Sequence, residues 1–172
     1  MSSTSTQGPL EPDALTQDEF HAWRGMLRLH STLTKELERR LGEDGRLSLT
    51  DYSVLITLVG APGRRLPMSE LARRRLLHPS RITRLVDALE REGLVGREAD
   101  PDDGRSVHAR LTRKGLERLR AVQPIHHAVV RQLYLNRLTS NEQRMLAQLL
   151  EKAMLGVVSA DVWPEQSVDR RS

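Results

Sequence analysis

The chain of 172 residues contains no cysteine, and this single absence removes disulfide frameworks, thiolate zinc sites, cysteine nucleophiles and thiol redox sensing. Aromatic residues are scarce at 3%, too few for the stacking platforms on which single strands and RNA loops are held. No run approaches the roughly 20 apolar residues of a membrane span. The polar start Met1-Ser2-Ser3-Thr4-Ser5-Thr6 carries neither the basic nor the apolar region of a secretory signal. A cytoplasmic protein with no membrane partner is therefore expected. Also missing are a glycine-rich phosphate loop, a nucleophile elbow and HExxH spacing, so no enzyme activity, catalytic residue or cofactor is expected.

What the chain has in plenty is arginine, unevenly placed. The formal net charge is only +4, yet Pro62 to Arg120 holds 15 Lys+Arg against 9 Asp+Glu, leaving 12 against 14 for the rest. The middle third is thus the basic part, and 14 of its 15 cations are arginine, which suits forked hydrogen bonding to phosphate and guanine edges. A solvated helix face would explain part of this excess. With stacking aromatics so few, duplex DNA is the better polyanion for the rest.

Residues 1–14, rich in Ser, Thr and Pro, offer no periodic apolar face and are expected to form a flexible arm. A helix should then start at Thr16, with Glu19 closing a capping box and Leu15 stapling against Phe20. Phe20, Trp23, Leu27, Leu33, Leu37 and Leu41 recur along it, and Gly42 is its natural stop. A second helix from Ser48 or Thr50 is apolar nearly all round and should be central, until Gly60-Ala61-Pro62-Gly63 ends it. Next comes a short helix over Met68 to Leu76, with Leu71, Ala72 and Leu76 inward and a basic opposite side. After a turn at Leu77-His78, Pro79 opens another helix.

In that helix Ile82, Leu85, Val86 and Leu89 fall at i, i+3, i+4 and i+7 and pack inward. Ser80, Arg81, Thr83 and Arg84 are left pointing outward, as in a recognition helix whose first turns reach base edges in a major groove. Gly93 ends it, and Leu94 to Ala99 and Val107 to Thr112 read as alternating strands around the turn-rich Asp100-Pro101-Asp102-Asp103-Gly104-Arg105-Ser106. A β-hairpin with a charged tip behind a recognition helix is a wing. Thr112 caps a further helix that Pro124 should kink or interrupt, and Thr139 with Glu142 opens a last one. These terminal helices carry more apolar surface than a small winged domain needs, so a second subunit is expected to cover it. Six histidines, His126-His127 among them, have no metal-ligand spacing, and buried or interface histidines are preferred to a metal site.

From Thr16 to Val158 the chain resembles the multiple-antibiotic-resistance regulator (MarR) family. The resemblance is strongest where Ser80-Arg81-Ile82-Thr83-Arg84-Leu85-Val86-Asp87-Ala88-Leu89-Glu90-Arg91-Glu92-Gly93-Leu94-Val95 runs into Asp100-Pro101-Asp102-Asp103-Gly104-Arg105 and then Leu111-Thr112-Arg113-Lys114-Gly115. It implies a mainly α fold with a small β-wing: a winged helix-turn-helix flanked by N- and C-terminal dimerisation helices. On this basis residues 15–158 form the domain, with 48–112 as the DNA-binding lobe, its grip running from Leu66 to Thr112. Residues 15–47 and 113–158 are its dimerisation helices, and 159–172 a tail.

The resemblance further implies a homodimeric repressor on a palindromic operator, released by a small organic effector of phenolic or aromatic character. Residue by residue, Ser80, Arg81, Thr83 and Arg84 match DNA-facing positions, and Arg97 a basic position that serves backbone or structural contacts. Asp103 matches the acid that shapes the wing, and Arg105 its minor-groove arginine. Gly104 stands where arginine is frequent in the family, which implies one phosphate contact fewer. Arg75-Leu76-Leu77 replaces the smaller or glycine-containing turn often found there. Trp23, His30 and Asp51 are the residues expected to line a ligand cavity beneath the DNA-binding lobe. A non-DNA adaptor on the same scaffold is the rival reading; the outward arginines and basic wing favour DNA.

Overall fold

The computed structural model describes residues 15–99 and 106–155. Among these, six helices and three strands follow in order: α1 (Gln17–Gly45), α2 (Leu49–Val59), β1 (Arg65–Pro67), α3 (Met68–Arg74), α4 (Pro79–Arg91), β2 (Val95–Ala99), β3 (Val107–Leu111), α5 (Arg113–Leu133) and α6 (Ser140–Met154). Short 3-10 turns occupy Pro62–Arg64 and Leu135–Arg137. No helix among the described residues is long and apolar enough to cross a membrane. The architecture is the winged helix-turn-helix expected from the sequence.

Both capping boxes form. Thr16 N–H donates to the Glu19 carboxylate at 2.7 Å while Glu19 N–H donates to Thr16 Oγ1 at 3.3 Å, and Thr139 and Glu142 repeat the exchange at 2.7 and 3.4 Å. Such reciprocal bonds satisfy two orphan donors at each helix start, locally and independently of packing. The staple expected over the first box is not closed, for Leu15 and Phe20 are both exposed.

Gly42 does not stop α1. The helix continues to Gly45 and turns only at Arg46, whose φ of 49° is left-handed, with Leu47 N–H donating to Leu41 O at 3.1 Å. Packing decides this. A Cβ at Gly45 would stand 2.7 Å from Val122 Cγ1, so the glycine demanded by the α1–α5 crossing sits one turn later, whereas a Cβ at Gly42 would meet nothing. Carrying a glycine inside the helix costs about 1 kcal/mol, and burying Leu41 and Leu47 below it offsets that, at about 1.5–3 kcal/mol per fully buried leucine.

Helix α2 is central as expected: Val54, Leu55 and Leu58 are wholly buried, beside Leu41, Leu71, Ile82, Val86, Leu89 and Leu94. Around this core lies an antiparallel sheet in the order β1-β3-β2, with Leu66 opposite Ala109 and Ala109 opposite Arg97. The third strand, β1, goes beyond the hairpin read from the sequence.

One further expectation is corrected, and one of two alternatives is excluded. Leu76 is 70% exposed rather than inward, because α3 ends at Arg74 and Leu76 takes a left-handed φ of 51° in the turn. The inward place one turn after Leu71 and Ala72 falls instead to Arg75, whose guanidinium is half-buried and held below its ordinary value by that burial. Helix α5 is not interrupted at Pro124. The element is continuous from Arg113 to Leu133, with Val122 and Val129 buried on either side of the proline. The ring removes one donor, and packing on both flanks holds the rest of the helix together.

Candidate nucleic-acid interface

Helix α4 is set by its first residues. His78 is the N-cap, its Nδ1 accepting from Ser80 N–H at 3.3 Å, and Pro79 supplies a preset φ at the first helical position. Ile82, Val86 and Leu89 are buried and Leu85 is half-buried, while Ser80, Arg81, Thr83 and Arg84 are turned to the opposite side, away from the core. Thr83 Oγ1 donates to Pro79 O at 2.9 Å. Its hydroxyl proton is thereby occupied, so toward solvent it presents lone pairs and a methyl group, the complement of a base amino group or a thymine methyl. Arg84 keeps its guanidinium outward, with one long bond from Nε to Ser80 O at 3.4 Å.

The charges around this helix divide into committed and uncommitted ones. Glu70 on α3 accepts from Arg73 Nε at 2.8 Å and from Arg74 Nε at 2.6 Å, and those two bonds pull its carboxyl down to about 2. Arg97 on β2 donates to Asp87 at 2.6 Å and Glu90 at 2.6 Å, both on α4, and Nη2 reaches Thr83 O at 3.4 Å. Arg110 pairs with Glu98 at 2.6 Å. Arg81 and Arg84 have no carboxylate partner among the described residues. Arg97 therefore braces α4 against β2, and the two arginines of the first turns remain open to an incoming anion.

The far end of α4 is fixed just as closely. Gly93 takes φ 72°, Leu94 N–H donates to Leu89 O at 2.9 Å, and Lys114 Nζ donates to Glu92 O at 2.6 Å. Thr112 Oγ1 lies 2.8 Å from Gly93 O and 3.1 Å from Leu94 O, and accepts from Gly115 N–H at 2.9 Å. A Cβ at Gly115 would stand 2.1 Å from Leu94 O. The start of α5 is thus locked onto the end of α4, which fixes the helix relative to the rest of the domain.

Asp103 and Arg105, expected at the tip of the wing, lie outside the described residues. Trp23, His30 and Asp51 each have their own surroundings. Trp23 is 52% exposed on α1, and His30 borders an open depression with Thr34, Lys35 and Glu38 that neither of the others lines. Asp51 is held in the cap of α2, where Ser48 Oγ donates to it at 2.6 Å. Nearer the α2–α5 junction, His126 stacks on Tyr52 with centroids 4.5 Å apart; burial pushes the histidine down and the tyrosine up. Among the described residues no group of three or more His, Asp or Glu is placed to hold a metal ion.

Sequence reasoning missed His78 as the cap and Asp87 and Glu90 as partners of Arg97. The Glu70 clamp had a legible signal, since acid and base stand three and four residues apart. The Arg97 contacts join a helix to a strand and have no such spacing.

This arrangement has counterparts among known proteins. Residues 47–106 match the model of the MarR family. The uncharacterized HTH-type transcriptional regulator YkoM of Bacillus subtilis is 38% identical over 134 residues, covering 78% of this chain and 84% of that one. The transcriptional repressor MprA of Escherichia coli K12 is 30% identical, covering 74% and 72%. Among solved structures, Sco3205 of Streptomyces coelicolor, a MarR family transcriptional regulator in complex with DNA, superposes with a TM-score of 0.80 at 35% identity, covering 88% of this chain and 94% of that one.

Proposed function

The chain belongs to the MarR family of transcriptional regulators, and from that premise we propose that it acts as a homodimeric repressor of a palindromic operator, released by a small aromatic effector. The observation that carries the DNA contact is the first half of α4. There Ser80, Arg81, Thr83 and Arg84 stand above a buried apolar stripe, and both arginines lack carboxylate partners among the described residues. These four residues face the major groove, where Arg84 reads a base edge and Arg81 holds a phosphate at the helix start. Arg105 serves the minor groove, Asp103 shapes the wing, and Arg97 supports the helix rather than touching DNA. The division of the chain follows the same reading, with 48–112 as the DNA-binding lobe between dimerisation helices at 15–47 and 113–158.

Dimerisation is supported by the terminal helices. α6 has no buried residue, and Met145 and Leu149 on it, like Phe20, Trp23 and Met26 on α1, are exposed. The experiment that tests the whole reading is selection of tight-binding duplexes from a random pool by the purified protein. Winners with two-fold symmetry and half-sites about 10 base pairs apart are expected, and enrichment without sequence preference would overturn it. Release from the winning duplex by a panel of small phenols and aromatic acids tests the effector.

A further inference from the structure

The sheet presents a second basic surface, away from α4. Leu66 and Ala109 are in register and both buried, so the adjacent pair Arg65 and Arg110, also in register, points to the opposite, outer face. Arg65 is exposed, and so is Arg64 beside it. Across β3 the same row ends in Gly96, where an added Cβ would meet nothing within 4 Å, leaving a flat open notch next to the two guanidinium groups.

Two features of this row are unfavourable to the free protein. Like charges directly opposite on neighbouring strands repel, and Glu98, which pairs with Arg110, is the one carboxylate that answers these cations among the described residues. Arg64 is moreover held at a φ of 54°, directly after Gly63 at 61°, a backbone region in which a side chain is strained. Strain and repulsion gathered at one exposed spot mark a surface shaped for a ligand.

We propose that Arg64, Arg65 and Arg110 form a further DNA contact, which takes the sugar-phosphate backbone flanking the operator. The proposal rests on the operator reading above. The row lies three residues from the wing end of β2 at Ala99, about 10 Å at the rise of a strand, or about three base pairs along a duplex. Forked guanidinium groups over a flat notch match phosphate oxygens, and a row of charged side chains around the notch suits a polyanion better than an apolar protein segment.

The test uses the full-length protein and a duplex it selects, in a short form trimmed to the operator and a long form extended by about 10 base pairs on each side. Arg65→Gln is expected to bind the long duplex roughly three- to tenfold more weakly than wild type and the short one equally. The salt slope on the long duplex should fall by about 1 for each phosphate no longer neutralised, hence about 2 for a dimer. Arg65→Lys, which keeps the charge, should restore most of the affinity, and neither variant should melt below wild type. Equal binding of variant and wild type on both duplexes would overturn the proposal. Equal loss on both would place Arg65 in the operator core and overturn the flank assignment. A selection in which wild-type protein enriches no sequence would instead overturn the operator reading, and this proposal with it.

Discussion

Single residues carry much of the geometry here, and glycine shows it twice in opposite senses. At Gly115 a methyl group would stand 2.1 Å from a carbonyl oxygen, where nothing flexible can give way. Gly115→Ala is expected to destabilise by about 3 kcal/mol or more, in line with overpacking against backbone, and to lower DNA affinity as the end of α4 shifts. A melting temperature indistinguishable from wild type would contradict this. At Leu76 a side chain stands where glycine would be at ease, since φ is 51° and the residue is 70% exposed. Left-handed backbone costs about 1–2 kcal/mol for an L residue, against about 0.5–1 kcal/mol for the extra freedom glycine gives the unfolded chain. Leu76→Gly should therefore raise stability slightly, by up to about 1 kcal/mol, and a urea midpoint below wild type would refute it. Gly115 was visible in the sequence only as part of a motif, because the carbonyl that requires it comes from Leu94, on the far side of the hairpin. The inward position of Arg75 was hidden because the turn, rather than the hydrophobic period, decides where α3 stops.

At the scale of elements, local signals were legible and long-range ones were not. The two capping boxes, the stripe Ile82-Leu85-Val86-Leu89 and the hairpin strands depend on neighbours a few residues away. Strand β1 has three residues and exists only because β3, far later in the chain, pairs with it. The clamp on α3 leads to a pH prediction. Glu70 is held down to about 2 by its bonds to Arg73 and Arg74, from an ordinary value of 4.5. A carboxyl lowered on folding contributes stability above its unfolded value, and this is lost as pH falls from about 4.5 through about 2. Solvent screens the partly exposed arginines, so the contribution is about 1 kcal/mol. Glu70→Gln should lower stability at neutral pH by that amount and converge with wild type at the acid end of this window. A difference independent of pH would show that the ion pairs contribute nothing.

For α4 the phase itself can be tested, since Arg84 and Arg81 both lack a carboxylate partner among the described residues but sit at different angles about the helix. Arg84→Ala is expected to relax base preference at symmetry-related operator positions by about 1–3 kcal/mol, the worth of a bidentate base contact. Arg81, nearer the helix start, is expected to hold a phosphate, so Arg81→Ala should weaken all sequences evenly and leave the ranking intact. Binding to a panel of symmetric single-base changes at fixed salt separates the two. An unaltered ranking with Arg84→Ala would mean that α4 does not read sequence.

The whole molecule is unbalanced in a way that no residue or element explains alone. Its core gathers α2, α3, α4, the sheet and the inner halves of α1 and α5, while both ends of the described chain leave apolar side chains in water. Leu15, Phe20, Trp23, Met26 and Leu27 are between 42% and 56% exposed at one end, and Met145, Leu149 and Leu155 between 57% and 73% at the other. Isolated exposed apolar residues are ordinary, but contiguous helical faces of this size mark an association surface. At about 25 cal/mol per Å², covering such faces with a second copy would stabilise each protomer well beyond what α6 gains from its own chain, where none of its residues is buried. Stability should therefore depend on protein concentration, the melting temperature rising with each tenfold increase. Leu149→Glu and Trp23→Glu are each expected to convert a dimer into a monomer by sedimentation at micromolar concentration. They should weaken operator binding far more than binding to a half-site, because a monomer keeps its own α4 but loses the partner's. Wild-type protein that sediments as a monomer at that concentration would refute the dimer. Variants that remain dimeric would move its interface away from these faces.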